Sequence, residues 1–153
     1  MPERKVPLTR SEMMSRIRSA DTLPELKLRK GLHALGFRFR IHVRALSGSP
    51  DIVFPRYRSA IFVHGCFWHG NEGCSYFTIP KTRPEFWTAK IMANLVRDRA
   101  DVGGLTQQSW RVLVVWECAS RLKNGDKLPS AVAEWLRGSQ TSAEFSQETL
   151  SAG

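Results

Sequence analysis

Apolar residues recur along this chain at two different periods, and the switches between them mark its elements. Leu28, Leu32 and Leu35 follow helical spacing after Thr22 and Glu25, which form a capping-box pair, with Pro24 in the first turn and Gly36 as the stop. That pattern predicts a helix over 22–36. Phe37, Phe39, Ile41 and Val43 then alternate with Arg38, Arg40, His42 and Arg44, a period of two that predicts a strand with one buried and one basic face. Ser47-Gly48-Ser49-Pro50 breaks the chain. Asp51–Phe54 and Ala60–Val63 read as two more strands; pairing them symmetrically about the Tyr57–Arg58 link sets Asp51 opposite His64, and the weak turn sequence Arg56-Tyr57-Arg58-Ser59 leaves room for a slip of a residue or two.

Beyond a long loop over 65–82, Thr82, Pro84 and Glu85 repeat the capping pattern and open a helix reaching about Leu105. Trp87, Ile91, Leu95, Val102 and Leu105 are its core side, and Lys90, Asn94, Asp98 and Asp101 form a second stripe. Trp110–Trp116 is apolar except for Arg111, as a central strand should be. Ala131–Leu136 predicts a last helix. Near the start, Ser11 caps a short helix through Ile17 that carries Met13 and Met14. The expected organisation is a basic arm over 1–10, one domain over 11–137 and a tail without regular structure over 138–153. Strands and helices in this order predict a single α/β domain, a mixed central sheet flanked by helices on both faces.

At 153 residues the chain is long enough for one well-buried core. Its 23 Lys and Arg against 14 Asp and Glu give +9, which favours a polyanionic partner, nucleic acid before membrane. Residues 1–44 carry much of that excess. No stretch approaches the roughly 18 apolar residues of a membrane span. The start, Met1-Pro2-Glu3-Arg4-Lys5, lacks the apolar core of an export signal, and three cysteines cannot pair completely. The expectation is a reducing cytosol, with the thiols used for metal or packing.

The chemistry concentrates at one strand exit. Ala60-Ile61-Phe62-Val63 runs directly into His64-Gly65-Cys66-Phe67-Trp68-His69, six positions holding two imidazoles, a thiol and two large aromatics. Cys66, Cys74 and Cys118 can together hold zinc, which would organise a loop too polar to pack by itself. They supply three ligands; Asn71 is a poor fourth, leaving His69, Glu72 or water. The plainer reading is three reduced thiols with Cys118 buried. Asp51, opening a buried strand, either holds Mg²⁺ with the Val63 carbonyl and water or makes a turn hydrogen bond after Pro50. Beside such a metal His69, on the loop, suits a general base and His64, on the strand, a contact to phosphate or leaving group. His33 and His42 read as ordinary packed or hydrogen-bonded histidines. Phe67, Trp68 and Trp87 are either loop core or a wedge for stacked bases.

These motifs, with Phe86-Trp87, Lys90-Ile91, Asn94, Arg97-Asp98 and Trp110-Arg111-Val112-Leu113 through Val115-Trp116-Glu117-Cys118, closely resemble the very short patch repair (Vsr) DNA mismatch endonucleases from about Ser11 to Trp135. The resemblance implies a restriction-endonuclease-like fold with a zinc-held loop, in which the usual second acid and lysine fall near Phe62 and His64. It implies a bacterial enzyme that nicks one DNA strand 5′ of the thymine in a T:G mismatch left by deamination of 5-methylcytosine. By position, Asp51 is the metal carboxylate with the Val63 carbonyl, Asn94 and Asp98 meet the hydrated Mg²⁺, and His69 is the base, with His64 and Glu25 in support. Phe67, Trp68 and Trp87 intercalate, and Met14 meets the minor groove. Cys66, Cys74 and Cys118 match zinc positions, whereas Asn71 stands where relatives commonly have histidine. A monomer acting on double-stranded DNA in the nucleoid, alongside mismatch-repair proteins, completes the expectation. The rivals are a restriction-type endonuclease without mismatch preference and a non-catalytic, zinc-stabilised DNA-binding module.

Overall fold

The computed structural model describes residues 22–71, 74, 78–120, 127–147 and 149. The basic arm, the short helix from Ser11 and Met14 lie outside the described residues. Helix α1 (Leu23–Ala34) is followed by strands β1 (Arg40–Ile41), β2 (Ile52–Phe54) and β3 (Ser59–His64), helix α2 (Pro84–Gln107), strand β4 (Arg111–Trp116), helix α3 (Leu128–Arg137) and strand β5 (Ser142–Phe145). The sheet order is β1-β2-β3-β4-β5, with β1–β2–β3 antiparallel and β3–β4–β5 parallel.

Alternation along the strands sends the core to both sheet faces. Ile52, Phe54, Ile61, Leu113 and Val115 pack with Leu28 and Leu32 of α1 and Leu128, Val132 and Leu136 of α3. Ala60, Phe62 and Val112 face the other way onto Leu105 of α2. This is the predicted mixed sheet with helices on both sides, although α2 covers a smaller core. Only Ile91 and Leu105 of its five apolar stripe residues are fully buried.

Four local expectations need correction. Neither capping box forms: Thr22 and Arg83 occupy the N-cap positions of α1 and α2 without a side-chain cap bond, and Glu25 is buried instead of turning back to Thr22. Leu35, at the end of α1, is exposed. The strand expected from Phe37 shrinks to the exposed pair Arg40–Ile41, and His42, in the left-handed region (φ 49°), ends the alternation on its C-terminal side. The β2–β3 pairing is Ile52 with Ile61 and Phe54 with Ser59, which carries Asp51 towards Phe62, two residues from His64. A single 3₁₀ turn at Pro55–Tyr57, closed by left-handed Arg58, sets that register.

The segment after 137 is also not structureless, since Ser142–Phe145 adds a parallel edge strand to β4. Arg111 explains both its own place in an apolar strand and the docking of that edge. Its guanidinium donates to the carbonyls of Trp135 (2.6 Å), Leu136 (2.9 Å) and Gln140 (2.8 Å) and lies 4.4 Å from the Trp135 ring centre. Among the described residues no helix is long and apolar enough to cross a membrane.

Candidate active site at the end of the sheet

Strand β3 delivers His64, still buried, to the sheet end, and the chain then coils back on itself. The amides of His69, Gly70 and Asn71 donate to the carbonyls of Gly65, Phe67 and Cys66. This folded loop lies on α2. Gly70 (φ 65°) comes so close that a Cβ there would stand 2.8 Å from Ile91, so both its conformation and its space call for glycine. The polar stripe of α2 holds the loop side by side with this contact. Lys90 lies 5.3 Å from the Trp68 ring centre, Asn94 donates to the Trp68 carbonyl (2.8 Å), and Asp98 meets Nδ1 of His69 at 2.5 Å.

The outcome is a layered pair of imidazoles. His64 and His69 stack with centroids 3.9 Å apart and planes within 6°. Burial, then the neighbouring His69, push the His64 pKa down to about 3, so its ring is neutral at physiological pH. Although burial works against its charge, Asp98 is held below the usual carboxylate range by the His69 hydrogen bond and the adjacent positive groups. With Nδ1 committed to Asp98, Nε2 is the His69 atom left to exchange a proton.

Asp51 stands beside these rings. Its Oδ2 accepts the Val63 N–H at 2.7 Å. Burial nevertheless dominates and raises its pKa to about 6, which a nearby cation would reverse. On the far side His42 Nε2 lies 3.0 Å from Glu25 Oε1, and Nδ1 is 3.9 Å from Asp51 Oδ1. Glu25, expected to support His69, thus reaches the site through His42. Two trios, His64–His69–Asp98 and Glu25–His42–Asp51, each gather potential ligand atoms within 4.8 Å.

Next to the imidazoles the loop and α2 build an aromatic ridge. Phe67, Trp68 and Trp87 lie with ring centres 5.1–6.0 Å apart, all only partly buried, and Phe86 extends the ridge with 45% exposure. Behind the loop, Cys66, Cys74 and Cys118 are unpaired thiols whose sulfurs lie within 4.8 Å of one another. Burial pushes the Cys66 thiol up to about 12 and Cys118 upward as well, so thiolates there call for a bound cation. The donor set fits zinc as three of four ligands. Asn71 does sit at the cluster, with Nδ2 3.5 Å from the Cys66 sulfur and 3.7 Å from that of Cys118. An amide N–H facing sulfur suits a hydrogen bond to thiolate. His69 is turned away to Asp98, and Glu72 is outside the described residues.

A family model described as DNA mismatch endonuclease Vsr matches residues 4–75. The chain is 42% identical over 145 residues to the DNA mismatch endonuclease Vsr of Escherichia coli (strain K12), covering 93% of this chain and 92% of that protein. It is 48% identical over 118 residues to the type II nicking enzyme V.XorIIP of Xanthomonas oryzae pv. oryzae, covering 77% and 86%. The type II nicking enzyme V.NmeDIP of Neisseria meningitidis serogroup C is 36% identical over 143 residues, covering 94% and 96%. The chain belongs to the Vsr family. As a Vsr-family protein it is a DNA endonuclease, a hydrolase of phosphodiester bonds.

The sequence-derived site residues of this Vsr-family chain fall into three groups in space. Asp51, Val63, His64, His69 and Asp98 converge at the sheet end; Phe67, Trp68 and Trp87 form the ridge; the cysteines sit behind. Asn94 lies between the first two, its amide engaged by the Trp68 carbonyl and by Arg97 at 3.0 Å. His42, read from sequence as an ordinary histidine, is the residue added to the site. Its place in an alternating basic strand gave no signal of the left-handed turn that brings it in.

Proposed function

We propose that this chain is a Mg²⁺-dependent nicking endonuclease that hydrolyses the phosphodiester 5′ of the thymine in a T:G mismatch arising from 5-methylcytosine deamination. The observation that supports it most is the meeting of Asp51 with the His64–His69–Asp98 stack at one sheet end, beside a partly exposed aromatic ridge, in a Vsr-family endonuclease. Bound magnesium supplies a Lewis acid for the phosphate oxygens. Asp51 would hold it together with the Val63 carbonyl, which leaves β3 on the same side as the Val63 amide that meets Asp51. Asn94 and Asp98 are the residues that would meet its hydration shell.

His69 takes the proton of the attacking water at Nε2, and Asp98 keeps the ring in the required tautomer. His64, neutral and stacked, fixes the His69 ring plane and presents its own edge to the phosphate. Glu25 supports the centre through His42. Phe67, Trp68 and Trp87 enter the base stack beside the mismatch, where unstacking is cheapest. Met14 completes the minor-groove contact. Cys66, Cys74 and Cys118 hold a structural zinc that pins the loop carrying His69. A restriction-endonuclease-like fold, a monomeric state, a bacterial cytoplasmic setting near mismatch-repair proteins and double-stranded DNA as substrate belong to the same reading.

The test uses Asp51→Ala on one T:G duplex. Loss of Mg²⁺-dependent nicking with mismatch binding retained is the expected result; unchanged turnover would overturn the assignment.

A further inference from the structure

Asp51 is approached from two sides, and the mechanism above draws its chemistry from one of them. The other side is built from three separate elements: Glu25 on α1, His42 after β1 and Asp51 before β2. Their potential ligand atoms lie within 4.8 Å of one another. Glu25 is 1% exposed, and its Oε1 lies 3.0 Å from Nε2 of His42. Nδ1 of the same ring stands 3.9 Å from Asp51 Oδ1. That separation is too long for a hydrogen bond. It suits two donors on one cation, which with bonds of about 2.1 Å each stand roughly 3–4 Å apart.

The backbone adds an independent observation. Had β1 continued, His42 would have stayed in register with exposed Arg40. Its left-handed conformation (φ 49°) takes it out of that series, while its N–H donates to the Asp51 carbonyl at 3.2 Å and ties the turn to β2. A non-glycine residue in this region costs on the order of 1 kcal/mol, and such strain concentrates at functional sites. A carboxylate beside the far nitrogen of an imidazole is also where the partner that orients a metal-ligating histidine stands.

We propose that His42 ligates the Asp51 cation directly through Nδ1, with Glu25 orienting the ring, so that the centre is a mixed nitrogen–oxygen site. This rests on the reading of Asp51 as the metal carboxylate. Imidazole suits borderline transition ions, whereas Mg²⁺ prefers oxygen alone. The centre therefore shifts its preference towards Mn²⁺ relative to an all-oxygen site.

The experiment titrates Mn²⁺ into the zinc-saturated full chain without DNA and records electron spin-echo modulation from directly bound nitrogen. The expected result is imidazole modulation that persists in His69→Gln and vanishes in His42→Asn. Asparagine tolerates the left-handed backbone and places an oxygen near the former Nδ1, so the ion stays bound. The ratio of Mn²⁺ to Mg²⁺ affinity falls about tenfold in that variant. Should His42→Asn not fold, the chain has only three other histidines. Modulation surviving in the combined His33→Gln, His64→Gln, His69→Gln variant, whose one remaining imidazole is His42, then assigns the nitrogen to it, and its loss there overturns the inference. Bound Mn²⁺ that Asp51→Ala releases but that shows no imidazole nitrogen overturns the inference and leaves the Asp51 reading standing. Modulation that survives in His42→Asn overturns it as well. Mn²⁺ binding indifferent to Asp51→Ala removes both.

Discussion

Two imidazole–carboxylate pairs flank Asp51, His69 with Asp98 on one side and His42 with Glu25 on the other, and they are built differently. His69 sits on a loop, stacked on a neutral ring, with Asp98 on the partly exposed face of α2. His42 sits on a left-handed turn, and its partner carboxylate is sealed under α1 at 1% exposure. The first pair is partly open to solvent, which suits the proton transfer proposed for it. In the second the carboxylate is buried while the His42 ring keeps 26% exposure, which suits a ligand or positioning role. The same two functional groups acquire different work from burial and from the rigidity of their supports.

Breaking the solvent-facing pair should have the largest effect. His69→Gln removes the proton acceptor, and single-turnover nicking should fall on the order of 10²–10⁴-fold with duplex affinity nearly unchanged. A fall below tenfold would move the base elsewhere. Asp98→Asn leaves the ring but loses control of its tautomer, with an expected loss of about 10–100-fold.

The buried side is better sharpened by stability. The Asp51 pKa is raised by burial to about 6 from the ordinary 3.8, so between these values the folded state binds more protons than the unfolded one. In metal-free protein stability should therefore fall as pH rises from about 4 to 6 and stay reduced above that. Asp51→Asn should melt higher than the parent at pH 7 in chelator, by about 2–3 kcal/mol at most, and the gap should close below about pH 4. A gap that does not depend on pH would remove burial as its cause. The smallest effect belongs to the ridge. Trp68→Ala should weaken T:G duplex binding by about 1–3 kcal/mol in a direct titration, with less change on matched DNA.

Much of this was legible in the sequence because it depended on local pattern. The apolar runs gave β2, β3 and β4, and helical spacing gave α1, α2 and α3. The six residues from His64, with Asp51 and the cysteines, drew attention to one sheet end. The misses share a cause in tertiary context. Glu25 fits a capping box by spacing, yet the core buried it against His42. Ser142–Phe145 is too short and polar to announce a strand, and exists because Arg111 anchors the preceding carbonyls and β4 offers an edge. His42 alternates faultlessly with its apolar neighbours Ile41 and Val43, and nothing local foretells the turn at its φ. The hairpin register moved by two residues because a 3₁₀ turn replaced a symmetric one.

The most direct measurement compares two duplexes of identical sequence, one with T:G and one with C:G at the same position, incubated with the full chain and Mg²⁺ and resolved strand by strand. The account predicts a single nick immediately 5′ of the mispaired thymine and an intact matched duplex. Equal cleavage of both, or no nick in either at any protein concentration, would contradict it.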